Sequence, residues 1–388
     1  MSLFRREATI TGPDGLIPSR GGNKRSGVPA VTNDSAMRHS AVWACLRLRA
    51  DLVSTMPVDV YRRIDGVQVS VPPPPVLVNP GGERVGIQEW LYSTQVDLDR
   101  AGNCFGLITE RNALDLPARI DLIALSDVTV RAKGSEITEV RIAGKKYDGD
   151  QLRNIWHEKQ FTVAGIPLGL SPVTYAAWSI EESLSAQQFA LDWFGGSAVP
   201  MAELKNTAKT VNPKDAAVAR DFYRAAVTTG DLFVHGNDWE YKPIQTVAAQ
   251  TEFLESRRFG INDVARFFGC PSDLIDGAVS TGSITYGSIT QRNLQLLIMN
   301  VGPAVSRRET ALGALTPKPR YVKLNRSALL AMDPEARART LKIRLDSRTL
   351  TPTEARALDD LAPLTDADLA EFDRVYGVPR TTPTGATA

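Results

Sequence analysis

One central segment constrains the fold most, because it predicts a single long helix with apolar residues on two faces. Ser171-Pro172 is a good start for a helix, since serine caps the first turn and proline fits the first helical position. The helical pattern ends near Phe194. One apolar stripe comprises Val173, Ala177, Ile180, Leu184 and Leu191, and the other comprises Trp178, Ala186, Phe189 and Trp193. A helix apolar on two faces needs neighbours on two sides, either inside a monomer or from adjacent subunits of a ring.

The residues before this helix predict an α+β arrangement. Residues 1–32 are rich in Gly, Pro, Arg and Ser and lack apolar periodicity, so they predict a flexible arm. Two helices follow, one that ends at Pro57 and one over 86–100. Several segments between 103 and 161 then alternate apolar and polar residues, which predicts strands.

The residues after it predict a small module and further helices. The module has a strand at 199–204, a helix from Asn212 to Val227 and a hairpin around residues 236–238. A helix over 250–269 ends at Cys270-Pro271, and another over 288–312 is bent or broken by Gly302-Pro303. The last 70 residues predict a pair of charged helices, the second starting at Thr351, and a loose tail.

The charge balance and the cysteines limit the classes of function. Lys and Arg total 45 and Asp and Glu total 44, whereas a protein that holds nucleic acid tightly by its phosphates is usually strongly basic. Cys45, Cys104 and Cys270 show no zinc spacing or disulfide framework, which favours a reducing compartment. No secretory signal and no run of about 18 apolar residues is present, so no membrane partner is predicted.

Motifs for catalysis, metals and cofactors are missing from the sequence. His39, His157 and His235 lie in separate segments without ligands at metal spacing. Residues 277–283 have the outer glycine spacing of a phosphate-binding loop but lack its lysine. We therefore predict no catalytic residue, no metal, no cofactor and no enzyme activity.

Two pairs of charged residues have alternative interpretations. Glu181 and Glu182 are adjacent on the long helix and point about 100° apart, which favours solvated or channel-facing charges over a catalytic pair. Arg257 and Arg258 either contact phosphate or form salt bridges with Glu252, Glu255 or a neighbouring chain. All four are candidate contacts with DNA or with an adjacent subunit.

Several segments, in their order along the chain, resemble phage portal proteins of the HK97-like type. The resemblance spans about residues 37–312 and rests on SAVWACLRLRADLVSTMPVDVYRR, AGNCFGLITERN, GIPLGLSPV, WEYKPI, TEFLESRRFGINDVARFFGCPSDLIDG and ITQRNLQLLIMNVGPAVSRRE. It implies the portal fold, with wing, stem helices, clip, tunnel loop and crown, assembled as a ring of usually twelve subunits.

The resemblance also assigns a part of that fold to each region of this chain. The assignments are a flexible arm at 1–32, wing at 33–170 and 288–324, stem helices at 171–195 and 250–271, clip at 196–249, tunnel loop at 272–287, and crown with C-terminal tail at 325–388.

The implied function is that of a conduit at one vertex of a phage capsid, present in the virion and, during assembly, in the host cytoplasm. Double-stranded DNA passes through the ring during packaging and ejection. Terminase and then the head-tail adaptor dock at the clip, and the major capsid protein surrounds the wing. The short polar residues of the tunnel loop suit a wall along which DNA slides. The expected channel-facing residues are Ser280, Thr281, Ser283, Ile284, Thr285 and Tyr286.

Simple geometry is compatible with such a ring. Twelve helices, each about 10 Å across, make a circumference of about 120 Å and leave a hole of about 28 Å. A DNA duplex of about 20 Å passes through that hole with its grooves intact. The alternatives are a nucleic-acid-processing or nucleotide-dependent enzyme with an unrecognised site, and a monomeric adaptor. The missing lysine and the lack of an acidic metal cluster argue against the enzyme.

Overall fold

A computed structural model describes the chain in two units, Met1–Leu324 and Asn325–Ala388. The residues that it describes are 7–11, 31–194, 202–207, 210, 212–229, 239–243, 259–275, 291–292, 294–326, 334–359 and 361–377. Helices and strands are mixed along the first unit, as the α+β prediction requires.

The first unit begins with helices that pack on one another. They are Asn33–Ala36 (α1), Ser40–Ser54 (α2) and Ile87–Ala101 (α3). Helix α2 buries Val42, Leu46 and Val53, which recur at helical spacing and form the side that faces the interior. Helix α3 ends at Gly102, which has a φ of 71° and so adopts the left-handed conformation that glycine tolerates best.

Antiparallel sheets make up the strand-rich part of this unit. One contains Val58–Ile64 (β2), Val67–Val71 (β3) and Tyr321–Leu324 (β12), in the order β12-β2-β3; a second contains Asn103–Arg111 (β4), Pro117–Ile123 (β5) and Ile155–Lys159 (β9), in the order β5-β4-β9. A third contains Glu7–Thr11 (β1), Val128–Lys133 (β6), Glu136–Ile142 (β7) and Lys145–Asp148 (β8), in the order β1-β6-β7-β8. Alternate residues of β6, such as Val128 and Val130, are buried, as expected for a sheet with one face in the core.

The N-terminal arm differs from the prediction, because part of it is a strand. Residues 7–11 form β1 and pair antiparallel with β6, from Glu7 opposite Lys133 to Thr11 opposite Thr129. The segment is only five residues long, so its own pattern gives little signal. Its pairing is favoured by the exposed edge of β6, which offers unpaired backbone groups to an added strand. Residues 12–30 lie outside the described part of the chain.

The predicted long helix is present with one irregularity. It consists of Pro172–Tyr175 (α4) and Ala177–Phe194 (α5), separated at Ala176, whose N–H donates to the carbonyl of Pro172 at 2.9 Å. The small module contains Ala202–Asn206 (β10), Pro213–Thr229 (α6) and Trp239–Pro243 (β11). Strand β11 pairs with β10, and the first strand of the predicted hairpin lies outside the described residues.

Glycine and proline mark the boundaries of the later helices of the first unit. Residues 259–268 form α7, and Gly269 follows with a φ of 62°. A π-helical turn, Leu296–Asn300, precedes the helix Gly302–Gly313 (α8), and Pro303 lies in the first turn of that helix. Proline is tolerated there because its missing N–H would have no partner in the first turn.

Among its described residues, the second unit contains one helix more than the sequence predicted. The predicted pair is Pro334–Asp346 (α9) and Pro352–Leu358 (α10), with a reciprocal cap between Thr351 and Glu354. The additional helix is Asp366–Tyr376 (α11), which begins with a second reciprocal cap between Thr365 and Asp368 and ends at Gly377. This Thr-x-x-Asp signal and the following glycine were available in the sequence.

Candidate stem and channel elements

The start of the long helix is attached to the end of α3 by Ser171. Its hydroxyl accepts a hydrogen bond from the N–H of Thr174 at 3.2 Å, so it caps α4 as predicted. The same hydroxyl donates to the carbonyl of Arg100 at 2.8 Å. One buried side chain thus caps the new helix and fixes its position against α3.

Two glycines let the backbone cross itself closely at this corner. A Cβ atom on Gly169 would lie 2.1 Å from the carbonyl oxygen of Gly102 and 2.3 Å from that of Gln160. The side chain of Asn103 links the two crossing backbone segments. Its Oδ1 accepts from the N–H of Gly169 at 2.8 Å, and its Nδ2 donates to the Gly169 carbonyl at 2.9 Å. The sequence gives no sign of this contact, because it joins positions far apart in the chain.

His157 extends this corner into the sheet. Its Nε2 lies 3.1 Å from Oδ1 of Asn103, and its ring stacks on Phe105 with centroids 4.3 Å apart. Because the Asn103 amide is oriented by its backbone partners, its Oδ1 must accept from the Nε2–H of His157. Burial, with a smaller effect of Lys159, lowers the pKa of His157 to about 3, so the ring is neutral at ordinary pH.

The start of the long helix and α7 pack into a single apolar cluster with the first helices of the unit. It joins α1, α2, α4, α5 and α7 through Ala36, Ala41, Val42, Cys45, Leu46, Val173, Ala176, Ile180, Val264, Ala265, Phe268 and Cys270. The first predicted stripe of the long helix is therefore buried toward the N-terminal end of the helix, at Val173 and Ile180, whereas Leu191 near its C-terminal end is exposed.

Polar contacts join α5 to α7 and to the start of α2. The hydroxyl of Ser179 on α5 donates to a carboxylate oxygen of Asp263 on α7, and the hydroxyl of Ser183 lies 2.7 Å from Nε2 of His39, which precedes α2. Gly260 lies close enough to Ser183 that an added Cβ would contact its hydroxyl at 3.4 Å. The small residue at 260 thus lets the two helices approach closely.

A buried ion pair joins α2 to α3. Asp99 on α3 accepts from Nε and Nη2 of Arg49 on α2 at 3.0 and 3.1 Å, and from the side-chain amides of Gln95 and Gln160, each at 2.9 Å. Burial lowers the pKa of Arg49, but the carboxylate of Asp99 outweighs it and the net shift is upward. These four hydrogen bonds all go to one buried carboxylate. A carboxylate is tolerated in the interior only when it is paired and hydrogen-bonded in this way.

The same arginine reaches the end of α7 through one further residue. Nη1 of Arg49 donates to the carbonyl of Asn300 at 3.0 Å, and Nδ2 of Asn300 donates to the carbonyl of Gly269 at 2.6 Å. Gly269 directly follows α7. The end of α7 is thus linked to α2 and α3 by consecutive hydrogen bonds through Asn300 and Arg49.

A second buried pair holds α8 against the sheet and α3. Arg308 donates to Glu158 on β9 at 2.6 Å and to the hydroxyl of Thr94 on α3 at 2.5 Å, and its guanidinium lies 5.5 Å from the ring centroid of Trp90. Burial raises the pKa of Glu158, although Arg308 acts in the opposite direction. Nothing in the sequence pattern pairs residues 150 positions apart, so these contacts were not predicted.

The second predicted stripe is exposed at Trp178 and partly buried at Ala186, and the side chains of Phe189 and Trp193 lie outside the described part of the chain. Trp178 is 81% exposed, and Glu181 and Glu182 follow it at i+3 and i+4, so the three residues share one side of α5. Within the described residues neither carboxylate has an ion-pair partner. The other predicted site residues are Arg257, Arg258, Ser280, Thr281, Ser283, Ile284, Thr285 and Tyr286, and they lie outside the described residues.

Chemical groups elsewhere in the described part of the chain form no reactive cluster. The described residues contain no group of three or more His, Cys, Asp or Glu side chains arranged to hold a metal ion. Cys45, Cys104 and Cys270 are buried free thiols. Over the same residues, none of the helices has the length and apolar character required to cross a bilayer.

Comparison with known sequences relates the chain to one family. The family model described as phage portal protein matches residues 40–360. The probable portal protein of Streptomyces phage phiC31 is 27% identical over 372 residues, covering 89% of this chain and 79% of the relative. The portal protein of Enterobacteria phage HK97 is 24% identical over 363 residues, covering 90% and 85%.

Solved structures show the same fold. A HK97-family phage portal protein from Corynebacterium diphtheriae has a TM-score of 0.57 at 19% identity, covering 79% of this chain and 99% of its own. A chain in the neck of an empty gene transfer agent particle, computed with C6 symmetry, has a TM-score of 0.61 at 18% identity, covering 86% and 94%. A chain in the neck of the native particle, computed with C12 symmetry, has a TM-score of 0.58 at 17% identity, covering 86% and 94%.

Proposed function

This chain belongs to the phage portal protein family, and on that premise we propose that twelve copies form a ring at one capsid vertex through which double-stranded DNA enters and leaves. The observation that carries the proposal is the family match across residues 40–360, which includes both stem helices and the module between them. The neck of the gene transfer agent particle, computed with C12 symmetry, supports the subunit number by analogy of fold.

The stem of this chain has the surface that a ring requires. Trp178 is exposed on α5 although a large aromatic residue usually gains by burial, and Tyr175, one turn earlier, is 56% exposed. In a ring each long helix has neighbours on both sides. We assign the face of Trp178, Glu181 and Glu182 to the contact with an adjacent subunit.

The mass of the purified protein tests the ring directly. Light scattering should give about twelve times the 42.3 kDa of the monomer, and end-on negative-stain images should show an annulus with a central hole. A sample that remains monomeric at high concentration, and also inside assembled heads, would exclude the ring.

We further propose that Ser280, Thr281, Ser283, Ile284, Thr285 and Tyr286 line the channel. Their mostly short, uncharged side chains give a polyanion little to bind, and a strongly basic wall would retard it. Replacing Thr281 and Ser283 with lysine should slow DNA packaging while leaving the ring intact, and the effect should weaken at high salt. Packaging at the normal rate in these variants would place the loop away from DNA.

The clip is the proposed docking site for terminase and then for the head-tail adaptor, and the wing is the proposed contact with the major capsid protein. Val218 and Phe222 lie one helical turn apart on α6 and are 55% and 68% exposed. Replacing both with glutamate should weaken binding of purified terminase or adaptor to the ring. Replacing Lys214 and Asp221 on the same helix with alanine is the matched control.

The proposal includes no catalytic role for this chain. An ATPase and nuclease assay of the purified ring tests that part, with terminase omitted. Turnover that a single substitution in the chain abolishes would favour the alternative, a nucleic-acid-processing or nucleotide-dependent enzyme.

A further inference from the structure

The second unit buries very few of its apolar side chains. Among its described residues, Leu350 and Ala355 are the buried apolar ones, whereas Phe372 and Tyr376 are 47% and 71% exposed. A unit of this size, Asn325–Ala388, is marginal even when it buries about 60% of the surface of its unfolded chain. Its apolar residues therefore need a surface that the described part of the unit does not supply.

The exposed residues of α11 form a continuous apolar stripe with acidic margins. The stripe comprises Leu369, Phe372, Val375 and Tyr376, which recur at helical spacing. On a helical projection, Glu371 lies along one margin and Asp373 along the other. A partner for this stripe should be apolar and flanked by cations.

Helix α9 of the same unit has an outward face of that kind. Its inner side carries the partly buried residues Leu341 and Leu345. Ile343 is 60% exposed on the other side; the exposed cations Lys342 and Arg344 project about 100° to either side of it, and the exposed Asp346 lies one turn further along. The charges of the two helices are complementary in sign, and the acidic margins of α11 repel DNA phosphates.

We propose that α11 of each subunit docks by its apolar stripe on the Ile343 face of α9 in a second copy of this chain. The inference rests on the proposed ring, because a ring places identical units side by side. The connection over residues 359–365 can span up to about 25 Å when extended, which exceeds two helix diameters of about 10 Å. The contact would form a continuous belt of second units around the ring.

Cross-linking between two differently labelled chains tests the contact. Chains carrying Thr340→Cys on α9 are co-assembled with chains carrying Val375→Cys on α11, and the rings are treated with a short bis-maleimide. The native thiols give little background because all three are buried. A cross-linked dimer in a denaturing gel is expected, and it joins two chains because each chain carries one new thiol. The matched control replaces Val375→Cys with Ala370→Cys, which lies on the opposite side of α11.

Charge reversal distinguishes a specific contact from chance proximity, because only a specific contact would make the yield of cross-linked dimer depend on these charges. Lys342→Glu with Arg344→Glu should reduce the cross-linked dimer about tenfold, and adding Glu371→Lys with Asp373→Lys, which leaves the Thr365–Asp368 cap in place, should restore it. Rings that assemble but give no more dimer than the Ala370→Cys control would overturn the inference and leave the proposed ring intact. A variant with Thr340→Cys and Val375→Cys in the same chain gives a further check. A cross-link that forms only within that chain, and not between two chains, would also overturn the inference. A monomeric sample by light scattering would overturn the proposed ring and this contact together.

Discussion

At Gly169 the side chain is missing because another part of the backbone occupies its space. A Cβ atom added there would lie nearest to the carbonyl oxygens of Gly102 and Gln160, and backbone atoms cannot rotate away as a flexible side chain can. Gly169→Ala should therefore lower the free energy of unfolding by about 3 kcal/mol or more, as severe overpacking does. Urea denaturation measures the change.

Gly313→Ala is the matched control for that substitution. Gly313 ends α8, and the atom nearest to an added Cβ would be the backbone nitrogen of Val322, at 3.9 Å, an ordinary contact. The control should be neutral or slightly stabilising because alanine restricts the unfolded chain. Equal losses in the two variants would contradict the role assigned to the crossing.

His157 should make the stability of the first unit depend on pH. Its pKa is about 3 in the folded chain and about 6.5 when unfolded, so folding favours the neutral ring. The contribution of His157 to the free energy of unfolding is fully present above pH 6.5 and is lost as the pH falls toward 3. Between pH 7 and pH 5 the expected loss is about 1–2 kcal/mol. Thermal melts at the two pH values, compared with His157→Gln, should show a smaller pH effect in the variant.

Individual residues were predictable where their role is local. Ser171 as a cap, Gly102 as a helix end and Pro303 at the start of α8 follow from the neighbouring sequence. The close approach of Gly169 to Gly102 and the bond from His157 to Asn103 depend on tertiary packing. A single sequence contains no spacing that reports them.

Between elements, the Arg49–Asp99 pair is the contact whose loss should cost most. Asp99→Ala removes the acceptor of two bonds from Arg49 and leaves a buried cation without its counter-charge. The expected loss is about 3–5 kcal/mol in the free energy of unfolding. Asp148→Ala, which removes an exposed pair with Lys146, should cost less than about 1 kcal/mol. Denaturant midpoints of the two variants would contradict this ranking if they coincided.

Prediction of whole elements succeeded for long periodic helices and failed for short or late ones. The long helix, α3 and several strands between residues 58 and 159 follow from periodicity and from turn residues. Strand β1 was missed because five residues in a Gly- and Pro-rich arm carry little pattern, and the β6 edge supplies its partner. Helix α11 was missed although Thr365 and Asp368 form a capping box.

For the assembled protein, the exposed tryptophan of the stem gives the clearest prediction. Trp178→Glu places a third negative charge beside Glu181 and Glu182 and removes an apolar contact from the proposed subunit interface. Light scattering should show a shift from rings toward monomers. The unfolding free energy of the monomer should change by less than about 0.5 kcal/mol, because the side chain is exposed there.

Leu114→Glu is the control for this variant, because Leu114 is 66% exposed in the connection between β4 and β5. Rings should form normally with that substitution. If both variants assembled equally well, the face of Trp178 would not be the subunit contact. The two-stripe pattern of the long helix was enough to propose neighbours on both sides, but it could not distinguish a central helix from a ring.

The crossing of the chain at Gly102 and Gly169 has a consequence for how this protein can diverge. A mutation at either position meets main-chain atoms of the other segment, so no second mutation in a side chain can relieve the clash. Descendants that retain this corner must keep both glycines even after most of the surrounding residues have been replaced. A lineage that loses one of them should have rebuilt the junction, for instance by inserting a residue before the long helix.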